Sequence, residues 1–495
     1  MAKDYIRWDK LDNTANLFPV IAGESMTNTY RISCVLKEEV DEGLLQEALD
    51  MVLPKMPGFN LRLRSGIFWY YFEENGKKAP RVHEEHTYPC RLIHQSKNNS
   101  YMFRVTYYKN RINLEVFHVL TDGMGGINFL RELTYQYLRL AHPKLRETQG
   151  DQLSADTSLN REDSFLKNYK KKSKSVYQSK RAFLIKGEKL AYDGFGVIHG
   201  YLPIPQLKKV CHAYGVSINE YLVATFIWAA YQENYRHITE DRPIRVAVPV
   251  NLRPYFDSIT TKNFFVMVSA EFAPQKNEYT FAEILAITKD SLRAQINKEH
   301  LEKIFSYNVS NELMVVARAV PLFLKNLAMR LVYTQSALAN TTTVTNIGNI
   351  KVEKVYEPYI QTVHSFLSFS KGQSLKATIT SYQDTLVYTY TVNQNGVEGN
   401  FLHLLAAGED HPGHPEEDDV IARHHDGGGV PVVQVSGLLR PAQRGERPQG
   451  GGEPRIQHIL LTGQMGAAAL FTDRWVLPLH VDVAAVIAGP RGNLV

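Results

Sequence analysis

Cysteine is scarce: Cys34, Cys90 and Cys211 are the only three in 495 residues. Odd in number and widely separated, they exclude a disulfide framework and show no metal-ligand spacing. They are read as reduced and buried, and no metal is expected. A long apolar run is also missing, since no stretch approaches the roughly 18 uninterrupted apolar residues of a membrane span. The N-terminus, Met1 to Lys10, has no apolar segment behind its basic residues. That argues against a secretory signal and makes the cytoplasm the expected location. The chain has no Gly-x-Ser-x-Gly elbow, no His-Glu-x-x-His helix and no phosphate loop, so serine-hydrolase, zincin and P-loop chemistry are set aside. No nucleic-acid module is present. A last absence is regional, for residues 401–495 contain no lysine and no tyrosine, although the chain has 27 tyrosines.

A hydrophobic content of 44% over this length supports a large core, most simply in two lobes. The net charge of +5 hides an asymmetry: the tail from 401 onward holds seven arginines and eleven acidic residues, leaving +9 on residues 1–400. A basic body suits a phosphorylated cosubstrate better than nucleic acid here. The tail also carries seven histidines and Gly-Gly-Gly runs at 427–429 and 450–452. Its composition reads as disorder or as translation in a wrong reading frame.

Phe117-His118-Val119-Leu120-Thr121-Asp122-Gly123 carries a His-x-x-x-Asp-Gly pattern at the end of a strand-like run. Ile112, Leu114, Val116 and His118 alternate with Asn113, Glu115 and Phe117, so His118 is expected on the inward, apolar face. Gly123, Gly125 and Gly126 offer permissive backbone for a sharp turn. Ile127, Leu130, Leu133, Tyr137 and Leu138 then recur at helical spacing. A histidine at such a corner can act as a general base, shielded from water and with a pKa near neutrality. Asp122 is its natural organiser. An ordinary packed histidine would show the same pattern, which is weak by itself.

The chain divides into a lobe over 1–165, a basic linker over 166–190, a second lobe over 191–400 and the tail over 401–495. In the first lobe Thr29–Leu36 reads as a strand, Asp41–Leu53 as a helix, and Asn60–Tyr71 and Tyr101–Tyr108 as strands, with Tyr101–His118 a hairpin. Lys167–Lys189 reads as solvated linker, a phosphate-binding strip being the other possibility. In the second lobe Ser217-Ile218-Asn219-Glu220 is a capping box opening a helix through Ala230. Ile244–Val250 is a strand. Leu313–Val332 reads as a helix broken at Pro321 and packed on the core, with membrane-surface contact the alternative.

Five landmarks occur in a consistent order: Trp8 to Asn13, Phe68 to Phe72, Phe117 to Gly123, Pro249-Val250-Asn251-Leu252-Arg253-Pro254 followed by Lys262-Asn263-Phe264-Phe265, and Thr345-Asn346-Ile347-Gly348-Asn349. Over about residues 5–400 this resembles bacterial alcohol acetyltransferase-like proteins of the condensation-domain and chloramphenicol acetyltransferase superfamily. The resemblance implies an α+β fold (α/β two-layer) of two chloramphenicol-acetyltransferase-like lobes, a pseudo-dimer with a central tunnel and His118 at its middle. It implies an acyltransferase with no bound cofactor, acyl-CoA (acetyl-CoA) as cosubstrate and a small-molecule alcohol as acceptor. His118 would take the acceptor's proton as its hydroxyl attacks the thioester. Asp122 would be structural, paired with an arginine for which Arg253 is the candidate, and Gly123 would let the backbone turn closely. Asn263, Asn346 and Gly348 are the candidate tunnel or substrate-binding residues.

Phe117 stands where peptide-synthetase condensation domains carry a first histidine, and no carrier-protein domain adjoins. Both points favour a free-standing O-acyltransferase. The alternatives are a carrier-protein-dependent enzyme forming amides or esters, and a non-catalytic ligand-binding relative. The sequence leaves acyl length, acceptor and oligomeric state open.

Overall fold

Alternating β-rich runs and capped helices build two sheets whose strands follow the same order. The computed structural model describes residues 8–395, except 171–172, 174–179, 186, 190–194, 233–241, 277 and 315–318, together with residues 482–488. The first half supplies β1 (Trp8–Lys10), β2 (Thr29–Leu36), β3 (Leu61–Ser65), β4 (Tyr70–Glu74), β5 (His83–Glu84), β6 (Phe103–Tyr108) and β7 (Arg111–Phe117). The second supplies β8 (Glu188–Lys189), β9 (Phe195–Pro203), β10 (Ile244–Asn251), β11 (Phe265–Phe272), β12 (Thr342–Asn349), β13 (Ile360–Leu367), β14 (Leu375–Tyr382), β15 (Thr385–Val392), β16 (Gln394–Asn395) and β17 (Asp482–Ala488).

One sheet runs β13-β2-β7-β6-β5 and the other β11-β10-β12-β14-β15-β9-β17. From β5 to β13, and from β12 to β17, the pairings match: one parallel contact, then three antiparallel ones. The two halves are thus internal copies of one α/β unit. They are not cleanly separate, because β13 comes from the second half and completes the first sheet through β2.

Each sheet buries one face under helices. Helix α1 (Phe18–Ile21) buries Val20 and Ile21. Helices α2 (Glu42–Val52), capped by the Asp41 side chain, and α3 (Gly123–Ala141) place Leu45, Leu49, Phe129 and Leu133 against Ile32, Leu114 and Val116. In the second unit the helix Ile218–Ala230 begins with the capping box of Ser217 and Glu220, and packs with Phe281–Gln295 over Val246, Val268 and Tyr388. All three cysteines are unbridged and buried.

The other faces meet in a polar seam. Asn113 and Glu115, which alternate like solvent-facing residues, are fully buried there. Glu115 pairs with Arg31 and Arg104 and accepts the Cys90 N–H. A carboxylate can be buried in this way only with such partners. Across the seam His199 stacks on His364 at 4.2 Å, and Thr380 Oγ1 donates to Val363 O at 3.3 Å.

Three local expectations change. Asn60–Tyr71 is a hairpin, β3 and β4, rather than one strand, because the chain reverses at Gly66, whose N–H donates to Trp69 O. The stretch read as solvated linker contributes Ala182, Phe183 and Ile185 to the core, with Phe183 N–H donating to Pro243 O. Beyond Pro321 the helix Leu322–Ala337 does not pack its apolar side on the core: Phe323, Leu327, Leu331 and Val332 are exposed. It lies instead across α1 and the hairpin, with Arg330 donating to Val20 O and Leu322 N–H to Ile67 O. Of the tail, only the backbone of β17 falls within the described residues.

Candidate active site

His118 follows directly on β7, at the corner where the chain turns into α3. Its backbone N–H donates to Asn28 O at 2.9 Å. Its half-buried ring is boxed by aromatics: Phe18 stacks at 4.6 Å, Tyr30 stands edge-on at 5.1 Å and Phe265 is tilted at 5.6 Å. This enclosure lowers the imidazole pKa below its ordinary 6.5, against the pull of the Asp122 carboxylate.

The second unit sets the ring's tautomer. Asn263 Nδ2 and backbone N–H both donate to Asp12 Oδ2, at 3.0 and 3.2 Å. With Asp12 ionised, an amide turned the other way would set its oxygen against a carboxylate, so the ionised Asp12 orients the amide. Asn263 Oδ1 therefore points at His118 Nδ1, 3.0 Å away. An amide oxygen only accepts, so Nδ1 carries the proton and Nε2 keeps its lone pair. Among the described residues none hydrogen-bonds Nε2. Asp12 also accepts the Ala15 N–H at 2.8 Å, and burial pushes its carboxyl up to about 7.

Asp122 does not touch the imidazole. It caps α3, accepting from the Met124 and Gly125 N–H groups at 3.2 and 3.4 Å, and takes the Phe264 N–H at 3.1 Å. Arg253 grips it with two parallel bonds of 2.9 and 3.0 Å. The same guanidinium donates to Asn251 Oδ1, Thr260 O and Lys262 O, so all five of its N–H groups are used. The pair ties the start of α3 to the segment that carries Asn263.

Asp9 and Asp12 explain the first sequence landmark. Lys262 Nζ donates to Asp9 Oδ1 at 2.7 Å, and Arg161 donates to Asp9 Oδ2 at 2.8 Å. Asp12 then holds Asn263, 251 residues away in the chain. Sequence reasoning missed Asp12, Phe18 and Tyr30; the repeated Asp9 and Asp12 beside a strand was the available signal.

The glycines differ from expectation. None of the three at the corner has a positive φ. A Cβ at Gly125 would lie 1.8 Å from Thr121 Oγ1 and 2.8 Å from Thr261 O, and one at Gly126 would lie 2.7 Å from Tyr30 OH. At Gly123 it would meet only Ile347, at 3.7 Å. Close approach, rather than turn geometry, is what requires glycine here, and it does so at 125 and 126. Asn346 is exposed, its Oδ1 accepting the Gly348 N–H at 2.8 Å while Gly348 takes φ +90. Asn346 and Gly348 shape a bulge on β12 and share no hydrogen bond with His118 or Asn263. Ile347 between them reaches α3.

Among the described residues no group of three or more His, Cys, Asp or Glu side chains could hold a metal, and no helix is long and apolar enough to cross a membrane. Compared with protein-family models and with curated proteins, the chain has no match. Its fold does match solved structures. Polyketide synthase associated protein 5 from Mycobacterium tuberculosis aligns at 14% identity over 80% of this chain and 96% of that one, with a TM-score of 0.54. The first condensation domain of the calcium-dependent antibiotic synthetase, in complex with a substrate analogue, aligns at 12% identity over 81% and 94%, with a TM-score of 0.54. TRI101 of F. sporotrichioides, complexed with coenzyme A and T-2, aligns at 12% identity over 81% and 97%, with a TM-score of 0.52. The chain thus has the two-unit α/β fold of these three solved structures.

Proposed function

We propose that the protein is an acyl-CoA-dependent O-acyltransferase in which His118 is the general base. The observation that carries this reading is the locked imidazole. Asn263 Oδ1 accepts a hydrogen bond from Nδ1–H, so the Nε2 lone pair is the one available to a substrate hydroxyl. The lowered pKa keeps that lone pair unprotonated at neutral pH. In the reaction, Nε2 removes the acceptor's hydroxyl proton as its oxygen attacks the thioester carbonyl. The tetrahedral intermediate collapses with loss of the CoA thiolate, which regains the proton from the imidazolium. No covalent acyl-enzyme is needed. Asp122 and Arg253 hold the corner, and Asp12 holds Asn263. The presence of coenzyme A in one protein of this fold supports CoA as the acyl carrier, and Phe117 in place of a second histidine supports a free-standing enzyme.

The test is release of CoA thiol from acetyl-CoA with a panel of alcohols, comparing the parent with His118→Ala. Release that His118→Ala abolishes, with the fold intact by circular dichroism, supports the reading. Equal release by both removes His118 from the mechanism, and turnover only from a pantetheinylated carrier protein would assign a condensation-type reaction instead.

A further inference from the structure

Lys376 is a buried cation that the reaction above leaves without a task. It stands on β14, 7% exposed, and its one hydrogen bond runs from Nζ to Ser370 Oγ at 2.6 Å. Among the described residues no carboxylate pairs with it. Among the other buried cations Arg31 has Glu85 and Glu115, Arg245 has Glu271 and Lys262 has Asp9, while Arg139 fills its guanidinium with three neutral acceptors, Tyr356 OH, Gln136 Oε1 and Gln152 O, where Lys376 has one. Cys90 acts on Lys376 electrostatically but supplies no counter-charge, because burial pushes its thiol well up. Burial pushes the ammonium down to about 8, so at neutral pH it still carries its proton. An ammonium taken out of water with a single hydroxyl for company is unfavourable unless something else neutralises it.

The register places this charge at the His118 end of the seam. On β14, Thr378 and Thr380 donate to Ser365 O and Val363 O of β13. Lys376 lies two residues earlier on the same face, toward Leu367 and the turn at Ser370. Leu367 pairs with Tyr30, and the Ser368 N–H donates to Thr29 O. Thr29 pairs with Phe117, the residue before His118, and the Tyr30 ring stands against the imidazole. The charge of Lys376 is felt at that imidazole.

We infer that Lys376 is the anion-binding group of the acceptor pocket and that the acceptor is a hydroxy acid, its hydroxyl at His118 Nε2 and its carboxylate on the Lys376 ammonium. The inference rests on the acyl-transfer reading. The phosphates of a CoA thioester do not fill the role, since they sit a full pantetheine arm from the reacting carbonyl. The carboxylate stays unreacted: the ester C–O bond forms at the hydroxyl, the thioester C–S bond breaks, and the hydroxyl proton leaves with the CoA thiol by way of His118.

The experiment uses the full chain, acetyl-CoA and hydroxydecanoates with the hydroxyl near, midway from and far from the carboxylate, each paired with its methyl ester. CoA-thiol release should favour the best acid over its ester by about tenfold or more in kcat/KM, the scale of one charge-assisted contact. Lys376→Gln should bring that ratio to about one. Lys376→Arg should retain it, and the exposed control Lys371→Gln should leave it at the parent value. No preference in the parent, or an equal fall for acid and ester in Lys376→Gln, overturns the inference. Calorimetry with the same acids and esters needs no turnover and separates the two readings. If no acceptor releases CoA yet the parent binds the acid more tightly than the ester and Lys376→Gln does not, the His118 reading fails and the Lys376 site stands. If neither protein distinguishes them, the site fails.

Discussion

Replacing Arg253 with methionine tests the clamp between the two units. The Asp122 and Arg253 side chains are 8% and 11% exposed, so the pair is largely out of water. In Arg253→Met the carboxylate keeps its three backbone N–H donors but loses its counter-charge, and the Thr260 and Lys262 carbonyls lose a donor. Removing one partner of a buried ion pair costs about 3–5 kcal/mol. Because Asp122 still caps α3, where the helix dipole favours an anion, the loss should fall near the lower end, about 3 kcal/mol. Adding Asp122→Asn should cost less than the sum of the single changes, leaving a coupling of about 1–3 kcal/mol. Urea unfolding of parent, single and double variants measures this, read from midpoints at unchanged m. The same clamp positions Asn263, so kcat should also fall, by about 10- to 100-fold if the imidazole shifts by an ångström. Stability of Arg253→Met within about 0.5 kcal/mol of the parent would refute the reasoning.

Gly125→Ala forces a methyl into Thr121 and Thr261 O and should cost about 1–3 kcal/mol, whereas Gly123→Ala should stay within about 0.5 kcal/mol in the same unfolding assay. The acid limb of kcat/KM should lie below pH 6.5, because burial lowers the His118 pKa and the base becomes neutral earlier; a limb above 6.5 would contradict this. Asp12 gives the opposite slope in stability. Its carboxyl is near 3.8 unfolded and about 7 folded, so the folded state binds the proton more tightly and stability falls as pH rises through that window. Between pH 5 and pH 7 the loss should be about 2–3 kcal/mol, and Asp12→Asn should remove most of that slope.

Local chemistry was legible in the sequence. The β-rich run of β2, the capping box at Ser217 and the tight hairpin between β6 and β7 each depend on neighbours within a few residues. What was not legible depends on distant partners. Asn113 and Glu115 alternate as solvent-facing residues do, yet both are fully buried, Asn113 among Ser33, Glu85 and Thr106 and Glu115 among Arg31, Arg104 and the Cys90 N–H. Asp12 is joined to Asn263 by the fold alone. Gly125 and Gly126 advertise backbone freedom, but their need comes from Tyr30 and Thr121 approaching α3. The helix Leu322–Ala337 carries an apolar stripe that reads as core-facing, yet its inner contacts are polar ones made through Arg330, Lys325 and Asn326. The pairing of Asp122 with Arg253 could be anticipated only through the resemblance, since 131 residues separate them.

The proposed reaction requires Asn263 to hold His118 as the Nδ1–H tautomer with Nε2 left as the base. Nitrogen-15 NMR of histidine-labelled protein at neutral pH reads this directly, with His118→Gln assigning the signal. The spectrum should show a protonated, pyrrole-type Nδ1 and an unprotonated, pyridine-type Nε2, with Asn263→Leu erasing the preference. A protonated Nε2 in the parent protein would contradict it.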